Sequence, residues 1–72
     1  MNPAQCRAAR ALLNWTQEEL SKAADVSAVT IGTFENEKSA PQRATIAVIR
    51  RALEAAGVEF TNGGQPGVRL KK

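Results

Sequence analysis

Between Thr16 and Asn36 the chain carries two helix-start signals separated by a short break, a spacing that leaves few ways to fold. Thr16 and Glu19 have the Thr-x-x-Glu form in which each side chain satisfies the other residue's backbone N–H at the head of a helix. Ser27 is a second capping residue. Just ahead of each cap stands an apolar residue, Trp15 or Val26, placed to pack on the residue five positions later, Leu20 or Ile31. Two short helices, about 17–24 and 28–36, are therefore expected to meet at the three-residue turn Asp25-Val26-Ser27. Leu20, Ala24, Val26, Ile31 and Phe34 supply their apolar side, so Ala28, Val29, Gly32, Thr33 and Asn36 share the opposite side of the second helix. A merely solvated face would carry long charged helix formers, and this one carries small residues.

The remaining helices announce themselves in the same way. Asn2-Pro3-Ala4-Gln5 combines a capping Asn, a proline suited to the first helical position and a Gln able to reach back, and predicts a helix over about 3–14. Cys6, Ala9 and Leu13 recur on one side of it. Glu37 to Arg43, with Pro41, reads as a loop. Ile46, Ile49, Leu53 and Ala56 then mark a helix over about 43–56 that stops at Gly57, a natural left-handed cap. Beyond Gly57 the period changes to two: Val58 and Phe60 share a face, Asn62 to Gly67 is turn chemistry, and Val68 and Leu70 share a face. The expected fold is all-α, a compact four-helix domain followed by a short C-terminal β-hairpin over about 58–70. An isolated hairpin is barely stable in water, so its apolar face must pack on the helices or pair with a second subunit. The hairpin is expected to build or support a dimer interface, so a chain ending at Gly57 is expected to fold as a monomeric four-helix domain.

Seventy-two residues make one domain with one small core. The chain has no histidine and a single cysteine, Cys6, which excludes metal sites of the usual nitrogen and sulfur type, an internal disulfide and histidine-based catalytic triads. No enzyme activity and no cofactor are expected. The apolar stretches are too short to span a membrane and the N-terminus lacks a signal-peptide layout, so a cytoplasmic protein is expected. The net charge of +3 is unevenly placed. Residues 16–40 hold five acids against two lysines, a net −3, so the rest of the chain carries +6. Arg7, Arg10, Arg43, Arg50, Arg51, Arg69, Lys71 and Lys72 must supply most of any attraction to phosphate. Trp15 and Cys6 are read as core residues, and with Phe34 and Phe60 on apolar faces, binding of single strands by stacking is not expected.

Over roughly residues 3–57, Thr16-Gln-Glu-Glu-Leu20, Val26-Ser27, Ile31, Phe34-Glu35-Asn36, Lys38 and Pro41 stand in ungapped register, and here the chain resembles the lambda-repressor-like, or Cro-like, helix-turn-helix domains. Five helices usually form that domain; here a hairpin takes the place of the fifth. The turn holds Asp25 where the family prefers glycine, and Asp tolerates a left-handed backbone better than most residues. The resemblance implies that Gln17 bonds a DNA phosphate at the head of the second helix, with Ser27, Asn36, Lys38, Ser39 and Arg43 as further backbone contacts. It puts Ala28, Val29, Gly32 and Thr33 at base-reading positions. Ala28 and Val29 offer only apolar contact, Thr33 a hydroxyl and a methyl, and Gly32 allows close approach at about 1 kcal/mol of helix propensity. Arg10 and Glu35 match a pair that joins the first and third helices and orients the reading helix.

Two functions follow. The first is a sequence-specific regulator of transcription that binds double-stranded DNA as a homodimer through the hairpin or the fourth helix, with the third helix in the major groove. The alternative is an interaction module of the anti-activator or antitoxin type that binds another regulatory protein or a toxin, which the local acidity and the apolar Ala28-Val29-Gly32 surface favour.

Overall fold

In a computed structural model describing residues 1–61 and 64–71, the chain forms α1 (Pro3–Leu13), α2 (Gln17–Ala24), α3 (Ala28–Glu35), α4 (Arg43–Ala55), β1 (Val58–Thr61) and β2 (Gly67–Leu70). The expected class and element order are both present. Of the expected hairpin turn, Asn62 and Gly63 lie outside the described residues, as does Lys72.

The first three helices begin where their caps lie, and α4 starts after Gln42 without a side-chain cap. Asn2 Oδ1 accepts from the Gln5 backbone N–H at 2.7 Å while Gln5 Oε1 accepts from the Asn2 N–H at 2.9 Å. Thr16 and Glu19 exchange the same two bonds at 2.9 and 3.1 Å, and Ser27 Oγ accepts from the Val29 N–H at 3.1 Å. The helices predicted to reach residues 14, 36 and 56 each stop one residue earlier, and that residue becomes the cap. Asn14 and Asp25 cap α1 and α2 in the left-handed conformation, at φ 58° and 56°, where short polar side chains are tolerated. Gly57 takes φ 108° just past α4, a backbone open to glycine and strained for other residues.

One core gathers every element. Cys6 and Ala9 from α1, Leu20 and Ala24 from α2, Ile31 and Phe34 from α3, Ile49 and Leu53 from α4, and Val58 from β1 are buried together. Trp15 and Val26 are half-buried against this core, as the two staples require.

The strands pair antiparallel, Val58 opposite Leu70 and Phe60 opposite Val68, with the Lys71 N–H extending the ladder to the Gly57 carbonyl at 2.6 Å. Of the two fates open to the hairpin's apolar face, packing on its own helices is the one observed: Val58 is 2% exposed, and Phe60 and Val68 pack against the core. The radius of gyration, 11.0 Å, matches the roughly 11 Å of a fully collapsed chain of this length, so the hairpin is folded in and not held out as an arm. Gln5 ties it down. Its buried side-chain amide donates to the carbonyls of Gly67 and Thr61, at 3.1 and 3.4 Å, while its oxygen completes the α1 cap. Arg50 of α4 lies 5.0 Å over the Phe60 ring, a cation–π contact worth about 0.5–1 kcal/mol at an exposed site.

Candidate nucleic-acid interface

α2 and α3 meet at the tight turn because Asp25 reverses the chain and the Val26 N–H bonds back to the Ser21 carbonyl at 3.2 Å. Burying Ile31, Phe34 and Glu35 fixes the roll of α3 and turns Val29 outward, 74% exposed. Thr33 is half-buried beside it, and its hydroxyl donates to the Thr30 carbonyl at 3.1 Å. Ala28 is half-buried at the head of the helix. Past the helix, Glu37 takes the left-handed conformation at φ 59°, and the Lys38 N–H bonds the Thr33 carbonyl at 2.9 Å. That closed end leaves Asn36, Lys38 and Ser39 exposed next to α3, with Arg43 exposed at the head of α4.

The inner side of α3 is held by a charge. Glu35 is 1% exposed, and its carboxylate accepts from Arg10 Nε and Nη2, both at 2.7 Å, from Gln17 Nε2 at 3.1 Å and from Cys6 Sγ at 3.2 Å. Arg10 Nη1 continues to the Trp15 carbonyl at 2.9 Å, and Arg7 Nη1 donates to the Glu35 carbonyl. Burial pushes the Glu35 carboxyl up, but the hydrogen bonds from Arg10, Gln17 and Cys6, with the Arg10 charge, outweigh it and hold the group below the ordinary range. The hydrogen bond to Glu35 raises the pKa of Arg10 and burial partly offsets it. All members of the cluster are satisfied, as a buried polar network must be to avoid destabilising the core.

Several side chains differ from what the sequence implied. The expected Arg10–Glu35 pair is present, joining α1 to α3. Gln17, expected to face phosphate, turns its amide inward to Glu35 and leaves its other N–H for a ligand. Gly32, expected to present bare backbone on the outer face, lies against Gln17: a Cβ there would come within 3.3 Å of Gln17 Oε1. Its missing side chain therefore makes room for α2. Cys6, read as a plain core residue, is also a hydrogen-bond donor. Of the cations expected to attract phosphate, Arg10, Arg50 and Arg69 are paired with Glu35, Glu54 and Glu59. Among the described residues Arg7, Lys22, Lys38, Arg43, Arg51 and Lys71 form no ion pair, Arg7 being held instead by the Glu35 backbone carbonyl. No metal-holding cluster of acids and cysteine occurs among the described residues, and no helix is long and apolar enough to cross a membrane.

Burial, then the hydrogen bond to Glu35 and that residue's charge, push the Cys6 thiol up to about 12. Because the thiolate is the nucleophile, the native protein should not react with a thiol-specific disulfide reagent at neutral pH. Labelling should track global unfolding in urea, and fast labelling of the native state would show that Cys6 is accessible.

A helix-turn-helix family model matches residues 7–60, three quarters of the chain, spanning most of α1, all of α2, α3 and α4, and β1 as far as Phe60. No curated protein matches it.

Proposed function

The chain belongs to the lambda-repressor-like helix-turn-helix family of DNA-binding regulators, and on that premise we propose that it binds duplex DNA as a homodimer with α3 in the major groove. The observation that carries this is the outer side of α3: Val29 stands clear of the domain beside the small Ala28 and Thr33, and the exposed cations Lys38 and Arg43 follow α3 in the chain. Short side chains let a helix approach base edges, and exposed cations close to it in the chain are suited to contact the phosphate backbone. Gln17 with its remaining N–H, the first-turn N–H groups of α2, and Ser27, Asn36 and Ser39 add neutral backbone contacts.

Val58, Phe60 and Val68 are turned into their own core, so the exposed apolar surface away from α3 that a second copy could cover includes Leu12 with Ala8 on α1, Val48 with Ala44 and Ala47 on α4, and Leu70 near the end of the hairpin. A two-fold dimer sets the two reading helices about 34 Å apart, one turn of DNA.

Selection of bound duplexes from a random library at low salt tests the reading. Enrichment of an inverted repeat with half-sites roughly ten base pairs apart is expected. Only Lys38 and Arg43 are assigned as cationic contacts in each protomer, so log K should fall against log salt with a slope of about −2 per protomer, about −4 for the dimer. The exposed acids Glu18, Glu19, Asp25 and Glu37 favour a second reading, in which this surface meets a basic partner protein. Failure to enrich any sequence would transfer the proposal to that partner.

A further inference from the structure

If α3 enters the groove, its side chains restrict what it can read. Within Ala28–Glu35 the only charged residue is Glu35, which is buried, and the helix contains no Arg, Lys, Asn or Gln. The bidentate contacts by which proteins recognise guanine or adenine are therefore missing from it. Of the hydroxyls at hand, that of Thr33 donates to the Thr30 carbonyl, that of the capping Ser27 accepts from the Val29 N–H, and Thr30 is half-buried; a single hydroxyl does not make the paired contact of an amide or guanidinium. The nearest outward amide, Asn36, lies seven residues beyond Val29, about 10 Å along the helix axis. What faces outward is Val29, 74% exposed, against 40–45% for the other exposed large apolar residues, with Ala28 and the Thr33 methyl beside it.

The major-groove edge offers one apolar group, the C5-methyl of thymine. Resting on the DNA-binding reading, we propose that α3 is a reader of pyrimidine C5-methyl groups, with Val29 as the specificity-determining residue, so that the half-site is built on T·A pairs. Cytosine is disfavoured because it lacks the methyl and because its N4 amino group would be desolvated against an apolar side chain without an acceptor. 5-Methylcytosine supplies the methyl and keeps the amino group, so it should replace thymine in part.

The test uses the full-length protein and the duplex obtained by selection. Replacing thymine by deoxyuridine at the contacted positions should weaken binding about fourfold per methyl removed, the ratio expected for burying one such group. Replacing a contacted T·A pair by C·G should weaken it further, and methylating that cytosine should recover part of the loss. Val29→Ala, at an exposed position, should keep the melting temperature and bring the thymine-to-deoxyuridine ratio close to one. Sequence-specific binding that is unchanged by deoxyuridine throughout the half-site would overturn methyl reading and leave DNA binding standing. A selection that enriches nothing would overturn both.

Discussion

Replacing Arg10 by alanine should destabilise the folded protein by about 3–5 kcal/mol, because Glu35 would remain buried with its charged partner gone. A chain of this size has about 4–11 kcal/mol of stability in total, so the loss is a large part of it. The melting temperature should fall by more than about 10 °C. The pH dependence gives the cause away. In the native protein the Glu35 pKa is depressed, so its contribution to stability is present above the unfolded carboxyl range and is lost as pH falls through the folded value. In the variant, burial acts on Glu35 with the arginine's opposition removed, its pKa rises, and the protonated form is the one the fold accepts. Stability should then be greatest in acid and decline as pH rises. Opposite slopes in urea titrations at mildly acidic pH are the expected result. Equal melting temperatures together with lost DNA binding would instead make Arg10 a DNA contact.

Ending the chain after Gly57 should unfold it. That truncation removes Val58 from the core, strips Phe60 and Val68 from its margin and leaves the buried Gln5 amide without acceptors. At about 1.5–3 kcal/mol for a fully buried side chain, and less for the half-buried pair, the loss is on the order of 5 kcal/mol, close to the stability such a domain has. The expectation from sequence was a folded four-helix remnant, and this packing is the reason to expect the opposite. Far-ultraviolet circular dichroism of the truncated chain should show little cooperative melting. A truncation that melts as one folded unit would mean that the hairpin serves something other than the core.

Much of the candidate interface was legible because its signals are local. The pairs Asn2 with Gln5 and Thr16 with Glu19 are three residues apart and act within a single turn of helix, so residue type at fixed spacing is enough to find them. The same holds for the outward Val29, which follows once Ile31 and Phe34 are assigned inward, whereas the left-handed Asp25 was read through the family's preference for glycine at that turn. The Arg10–Glu35 pair spans 25 residues and was found only through family resemblance. Cys6 gave no signal of its bond to Glu35, since a thiol on an apolar face looks the same whether or not a carboxylate lies across from it.

By itself, then, the sequence determined where the helices start and, to within one residue, where they stop, the tight turn between the second and third, and the change to a strand period after Gly57. Those are properties of neighbours along the chain. Tertiary structure alone decided that Gln17 turns to Glu35 across 18 residues, that Gly32 makes room for Gln17, and that Gln5 holds the hairpin across 62. Amide side chains and glycine suit water, a ligand or a buried carbonyl equally well on chemistry alone. Which one they meet depends on the faces that packing brings together, and a buried polar group must then take whatever partner lies within hydrogen-bond reach.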